Sequence, residues 1–163
     1  MKDWNTRYAK AGTDGDSRLF GDQPCEYLRA VLARADFSAR SALCLADGDG
    51  RNGGWLAEQG IAVTAVDAST VATDLARAHD TARGVTVERI VDDLAAWSPP
   101  PGRTWDAVFL MYLQCEAAVR LHAARTAAAA LAPGGWFVAE GFAPAGAGGR
   151  SLGPEDPDLL YEL

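Results

Sequence analysis

Apolar runs and helical patterns alternate along most of this chain. Runs typical of β-strands cover about 41–46, 61–66, 85–91, 107–111 and 136–140. Helical patterns cover about 51–59, 69–83 and 116–131, and another helix over about 23–35 precedes the first run. Strands that alternate with helices predict an α/β fold in which helices cover both faces of a parallel sheet. Right-handed crossovers, with a change of direction between strands one and four, predict the strand order 3-2-1-4-5.

The strongest chemical signal lies between the first two strands. The first strand runs into Ala46, and a Gly-x-Gly turn from Gly48 to Gly50 leads directly into a helix. The second strand ends in Asp67, seventeen residues beyond Gly50. Glycines let a ligand approach the backbone, and a carboxylate at the next strand end can accept hydrogen bonds from both hydroxyls of a ribose. The pattern predicts an adenosine-type cofactor across the carboxyl ends of strands one and two of a Rossmann-like, doubly wound sheet.

Two kinds of cofactor fit this turn. Residues Gly48 to Gly53 satisfy the G-x-G-x-x-G pattern, and Asp67 follows at about the distance that dinucleotide-binding folds show. These two features alone favour a nicotinamide-dependent oxidoreductase. Such an enzyme would need a catalytic Tyr-Lys pair or a histidine partner, and lysine occurs only at Lys2 and Lys10.

Composition narrows the class of protein further. The 163 residues are 48% hydrophobic and 23% charged, which predicts one globular domain with a substantial core. The formal net charge is −7 without a basic stripe, so we expect a small-molecule substrate and no nucleic-acid partner. Three cysteines without a C-x-x-C pair and two scattered histidines predict no metal site. No signal peptide or membrane-length apolar run is present, which predicts a cytoplasmic location without a membrane partner.

Further motifs follow one another in order along the chain. They are W-x-x-R-Y over 4–8, Leu43 to Asn52, Val63 to Ser69, Asp92-Asp93-Leu94, L-x-P-G-G-x-aromatic over 131–137, and Glu140 to Pro144. This series resembles the class I S-adenosylmethionine-dependent methyltransferases, and among them the small bacterial tellurite-resistance-type methyltransferases. The Pro-Gly-Gly turn separates the two cofactor hypotheses, because a nicotinamide fold does not need it there.

The resemblance implies S-adenosylmethionine (SAM) as the cofactor and a methyltransferase acting on a small molecule or a metalloid oxyanion. Asp67 would hold the ribose, and Asp93 would accept from the adenine amine beside the Leu94 amide, although the adjacent Asp92 leaves that choice open. Backbone of the glycine turn would bind the methionine portion, through Ala46, Asp47, Gly48, Asp49 and Gly50. The predicted cofactor site also includes Arg51, Ala68, Met111 and a lid formed by Trp4, Arg7 and Tyr8. No catalytic residue is predicted, because a soft, ionised nucleophile needs no general base.

Two departures from the family pattern shape the remaining expectations. Cys44 and Ala46 replace the usual acid and glycine of the first motif, so Asp47 or Asp49 would take over the acid's role. The family's C-terminal antiparallel hairpin is missing from this chain, which we expect to be truncated. The domain then divides into a lid segment (1–22), a cofactor-binding core (23–142) and a loop with the start of a truncated part (143–163). An exposed fifth strand predicts a homodimer, and the departures leave a non-catalytic cofactor-binding module as an alternative.

Overall fold

The sheet has the predicted strand order. The structure is a computed structural model that describes residues 3–13, 18–144 and 153–161. Its five strands are all parallel and lie in the order β3-β2-β1-β4-β5, which confirms the prediction. The strands are β1 (Ser41–Leu45), β2 (Ala62–Asp67), β3 (Val87–Val91), β4 (Trp105–Met111) and β5 (Leu131–Glu140). In a sheet of this order, the carboxyl ends of β1 and its two neighbours form the edge at which ligands bind.

In the described ranges, five α-helices and one short 3₁₀-helix accompany the strands. They are α1 (Trp4–Thr13), α2 (Glu26–Leu32), α3 (Arg51–Glu58), α4 (Thr70–Arg83), α5 (Ala117–Ala130) and the 3₁₀-helix Pro157–Leu159. The Ser69 hydroxyl caps α4 by accepting a hydrogen bond from the Ala72 amide at 3.0 Å. Helix α2 is shorter than the apolar spacing predicted, because it begins only after Cys25 and ends at Leu32. No helix in the described ranges is long and apolar enough to cross a membrane.

Each face of the sheet carries its own apolar cluster. Cys44, Phe109 and Val138 pack with Leu28 of α2 and Leu56 of α3 on one face. Side chains of the alternate strand positions pack on the other face with the small residues of α5, and this second cluster includes Leu43, Leu45, Val108, Leu110, Ala123, Ala127 and Ala130. The alternation along β1 and β4 follows from the two-residue period of a strand. Burial on both faces holds the strand ends that carry the site in fixed positions.

Strand β5 begins earlier than predicted because its start contains a bulge. Leu131 pairs with Trp105, but the next pair joins Trp136 to Ala107, so residues 132–135 lie outside the regular ladder. The predicted Pro-Gly-Gly turn falls within these residues. A Cβ at Gly135 would lie 2.8 Å from the Asp106 carbonyl oxygen, so only glycine allows the two backbones to approach this closely. Beyond the bulge the pairing is regular as far as Met111 and Glu140.

Candidate functional site

The loop after β1 has a tightly turned backbone. Ala46, Gly48 and Gly50 all have positive φ, at 58°, 59° and 81°, and Gly50 immediately precedes α3. The Ala46 amide donates to the Val66 carbonyl at 2.8 Å, which joins the end of β1 to the end of β2. Three left-handed residues within five positions bring successive backbone groups to the surface of the loop, where a ligand can approach them.

Asp67 joins the end of β2 to this loop. Its Oδ2 accepts a hydrogen bond from the Gly48 amide at 2.8 Å, and its Oδ1 accepts one from the Ser69 amide at 2.8 Å. Each carboxylate oxygen keeps a further lone pair that can accept from a ligand hydroxyl. Burial raises the pKa of Asp67 above its ordinary value. The predicted ribose-binding carboxylate therefore lies next to the predicted glycine turn, while Ala68 follows it as an exposed residue.

The acidic pair after β3 lies beside Asp67. The Asp92 amide donates to the Asp67 carbonyl at 3.1 Å, and the Asp93 carboxylate accepts from the Ala95 amide at 2.9 Å. Both aspartates are exposed, whereas Leu94 is buried in the second apolar cluster. The structure brings all three residues to the edge where β2 and β3 end. The choice of Asp93 over Asp92 for adenine stays a prediction.

Helix α1 covers the glycine loop. The Tyr8 side chain is only 5% exposed, and a Cβ at Gly48 would overlap its hydroxyl group. Burial, followed by the nearby Asp49 and Asp67 charges, raises the pKa of Tyr8. The Arg7 guanidinium carbon lies 4.5 Å from the centroid of the Trp4 ring. Of the predicted lid residues, Tyr8 contacts the loop, whereas Trp4 contacts Tyr8 and Arg7 contacts Trp4.

Two residues that sequence reasoning missed belong to this lid. The Phe20 ring lies 6.4 Å from the Trp4 ring and 6.5 Å from the Tyr8 ring, which completes an aromatic cluster. The Asn5 side-chain oxygen accepts from the Ser69 hydroxyl at 2.7 Å and from the Val71 amide at 3.3 Å. Asn5 thus attaches α1 to the start of α4, two residues beyond Asp67. The W-x-x-R-Y motif contains Asn5, so the motif could have suggested this contact.

A buried ion-pair network supports the loop from the side of β3. Arg89 donates from Nη1 to Asp47 at 2.9 Å, and from Nε and Nη2 to the two oxygens of Asp80 at 2.6 and 2.9 Å. The exposed fractions of the Arg89, Asp47 and Asp80 side chains are 3%, 2% and 8%. The second Asp47 oxygen accepts from the Gly53 amide at 2.9 Å, and burial raises the pKa of Asp47 to about 6. Sequence reasoning missed Arg89 and Asp80. The signal for this network was Arg89 itself, a charged residue within a short predicted strand.

The remaining predicted residues lie at the end of β4, at the start of α3 and within the loop itself. Met111 ends β4, is 8% exposed and pairs with Glu140 of β5. The half-buried Arg51 donates to the Gln23 carbonyl at 3.2 Å. Its contact with the cofactor stays a prediction. Asp49 is buried, and its carbonyl oxygen lies 3.1 Å from a ring nitrogen of His79. Within the ranges the structure covers, no group of three or more His, Cys, Asp and Glu residues could hold a metal ion.

Comparison with known proteins agrees with this geometry. The methyltransferase domain family matches residues 42–135, which include β1 from its second residue onward, the glycine loop, Asp67 and the acidic pair. The chain belongs to this methyltransferase domain family. Among curated proteins, none matches the sequence.

Solved structures share the fold of this methyltransferase domain. The PH0226 protein from Pyrococcus horikoshii is 27% identical with a TM-score of 0.63, over 70% of this chain and 51% of its own. DhpI in its complex with S-adenosylhomocysteine (SAH) is 25% identical with a TM-score of 0.56, over 83% of this chain and 65% of its own. The CcbJ methyltransferase from Streptomyces caelestis has the same fold, with a TM-score of 0.70. It is 24% identical over 86% of this chain and 58% of its own. The chain thus spans between half and two thirds of these relatives.

Proposed function

We propose that this protein is a SAM-dependent methyltransferase. The observation that carries the proposal is the junction of Asp67 with the glycine loop. The Asp67 carboxylate accepts a hydrogen bond from the Gly48 amide and keeps lone pairs for the two ribose hydroxyls. Membership of the methyltransferase domain family supports it, and the relative DhpI was solved with SAH. The arrangement fits an adenosine-type cofactor, because a left-handed backbone, a half-buried acid and an aromatic lid meet at the carboxyl ends of β1 and β2.

Each part of the site has a separate role in this proposal. Asp67 binds the ribose hydroxyls, Asp93 with the Leu94 amide binds adenine, and the backbone of 46–50 holds the methionine portion. The Asp47 carboxyl is already engaged by Arg89 and Gly53, so we assign its side chain to support of the loop and its backbone to ligand contact. The missing family acid at Cys44 is then compensated beneath the loop rather than at the ligand.

The chain's own groups bind, orient and exclude water. When bound, SAM supplies a methyl group activated by its sulfonium. Trp4 and Tyr8 keep water from the loop, and Met111 at the end of β4 contributes an apolar wall beside it. Positioning accounts for most of the rate in a displacement of this kind, because the leaving group is already activated. We further propose that the methyl acceptor is a small molecule or a metalloid oxyanion, as in the tellurite-resistance-type group.

Calorimetric titration with SAM, SAH and NAD in parallel tests the proposal. We expect binding of the first two ligands and none of NAD. Asp67→Ala removes charge-assisted hydrogen bonds worth about 1.5–3 kcal/mol each, so the Kd for SAM should rise more than tenfold. Asp74→Ala is the matched control, because Asp74 is an exposed aspartate of α4 that pairs only with Arg77 among its described ion pairs. Binding of NAD alone, or an Asp67→Ala affinity equal to that of the control, would contradict the proposal.

A further inference from the structure

Three reactive side chains meet where β4 and β5 end. The Cys25 thiol donates a hydrogen bond to the Glu140 carboxylate at 2.5 Å. Tyr112 follows β4, its amide donates to the Glu140 carbonyl at 2.6 Å, and burial together with a hydrogen bond to the Glu140 side chain raises the pKa of its phenol. Glu140 is half-buried, so its carboxylate combines partial shielding from water with access from outside.

This Cys25–Tyr112–Glu140 cluster lies across the glycine loop from Asp67. Leu45 of β1 pairs with Leu110 of β4, and Met111 pairs with Glu140, so the ends of β1, β4 and β5 are neighbours. The Cys25 amide also donates to the Asn52 side chain at 2.8 Å, which ties the cluster to the first turn of α3. Asp67 ends β2 on the other side of β1. If Asp67 holds the ribose of the cofactor and the loop holds its methionine portion, the methyl group would lie on the side of β1 where this cluster is found.

The backbone at Tyr112 is strained in the same way as the glycine loop. Tyr112 has φ at 59°, and among the described residues only Ala46 is another non-glycine residue with positive φ. These residues follow the adjacent strands β4 and β1, and strained backbone persists where the surrounding structure fixes it, commonly at functional sites. The Tyr112 and Phe142 rings have centroids 5.0 Å apart and supply an aromatic wall beside Glu140.

We propose that Glu140 binds the methyl acceptor, and that the acceptor is a neutral amine on an aromatic or apolar skeleton. The proposal rests on the methyltransferase function proposed above. The amine lone pair forms a bond to the methyl carbon, the carbon–sulfur bond breaks, and its electron pair stays on sulfur. The positive charge therefore moves from sulfur to nitrogen, and the product leaves as an ammonium ion with its proton. Glu140 accepts a hydrogen bond from the amine N–H and stabilises the charge that develops on nitrogen.

The charge of Glu140 also separates the two acceptor classes that the sequence left open. A carboxylate attracts a group that becomes cationic and repels an anion at the same place. A metalloid oxyanion would approach Glu140 against this repulsion, whereas an amine would gain from it. The Cys25 thiol, whose pKa is raised by burial and by its hydrogen bond to Glu140, remains protonated and adds no negative charge.

Methyl transfer to matched probes tests this assignment. The probes are phenethylamine, 2-phenylethanol and selenite, at a pH of about 9 so that part of the phenethylamine is neutral and has a free lone pair. SAH formation is measured by mass spectrometry. We expect SAH with phenethylamine only, and a fall of about tenfold or more in kcat for Glu140→Gln, since a single preorganised electrostatic contact commonly contributes that much. The Kd for SAM should stay within about twofold, and Glu140→Asp should restore part of the rate. Glu26→Gln, an exposed glutamate beside Cys25, is the control.

The outcomes distinguish this inference from the methyltransferase proposal. Failure of the wild-type protein to bind SAM would contradict the methyltransferase function itself. SAM binding with transfer only to 2-phenylethanol or selenite, or with no transfer to any probe, would overturn the assignment of an amine acceptor. Equal kcat values for Glu140→Gln and Glu26→Gln would overturn the role of Glu140.

Discussion

At the scale of single residues, the site depends on charges whose partners are distant in sequence. The places of the loop glycines and of Asp67 at the strand ends could be predicted, because a strand end, a tight turn and an acid at the next strand end form a local pattern. Arg89 could not be placed in the same way, because nothing local shows that its side chain reaches Asp47, 42 residues earlier. Cys25 and Glu140 are 115 residues apart, and only the sheet order brings them together.

Asp67 should make cofactor binding dependent on pH. Burial raises its pKa, so it takes up a proton at a higher pH than a solvated aspartate does. The ionised form accepts the ribose hydroxyls, and therefore the Kd for SAM should rise as the pH falls from about 8 to about 5. Calorimetry across this range measures the change.

Asp67→Asn serves as the control for this dependence. Asp47 and Asp49 lie near the same loop and also have raised pKa values, so they contribute to the total pH effect. The asparagine variant should bind more weakly but keep only the part due to those two groups. An identical pH dependence of the Kd in both proteins would show that Asp67 does not contribute to it.

Arg89 should matter more for stability than a typical surface arginine. Arg89→Met leaves Asp47 and Asp80 buried without their charged partner, which should lower the free energy of unfolding by about 3–5 kcal/mol. The control Arg77→Met breaks an exposed pair with Asp74 and an exposed hydrogen bond to the Arg89 carbonyl oxygen, and it should change the free energy of unfolding by about 1 kcal/mol or less. Urea denaturation measures both variants, and equal losses would contradict a special role for the buried network.

At the scale of elements, boundaries were predictable where a capping residue marks them. Helix α4 begins after Ser69 and ends at Arg83, as the pattern indicated, because Ser69 caps its first turn. Helix α2 lacks a side-chain cap and begins only at Glu26, since the Cys25 amide and thiol are held by Asn52 and Glu140 instead.

Asn5 should control how firmly α1 stays on the loop. Asn5→Ala removes the acceptor for Ser69 and Val71, so α1 should open more often and its amides should exchange faster with solvent. Hydrogen exchange with mass spectrometry resolves α1 from α4. Gln59→Ala, which removes an exposed amide side chain at the end of α3, should leave exchange in α1 unchanged. Equal exchange in all three proteins would show that Asn5 does not hold the lid.

At the scale of the whole molecule, β5 is one of the two open edges of the sheet in the described residues, and β3 is the other. Strand β5 pairs with β4 on one side, and its Phe137 is 44% exposed. Tyr27, Arg34 and Trp136 line a groove next to it. An exposed apolar edge strand favours pairing with another chain, and we propose that a second copy pairs there to form a homodimer.

Phe137→Lys tests this dimer. A lysine on an edge strand opposes pairing between chains, so the variant should be a monomer where the wild-type protein is a dimer in light scattering after size exclusion. Arg125→Lys, an exposed change on α5, is the control and should leave the mass unchanged. A wild-type protein that is monodisperse and monomeric would contradict the dimer.

The bulge in β5 makes one short stretch of the chain tolerant of changes in length. Residues 132–135 lie outside the ladder, and the pairs from Ala107–Trp136 to Met111–Glu140 are set after them. An insertion beside the exposed Pro133 would enlarge a surface loop at a small entropic cost and leave Glu140 in register with Met111. A one-residue insertion after Trp136 would instead turn every following side chain of β5 to the opposite face of the sheet. Evolution can therefore vary the spacing between α5 and the sheet here while the acceptor side of the site keeps its alignment.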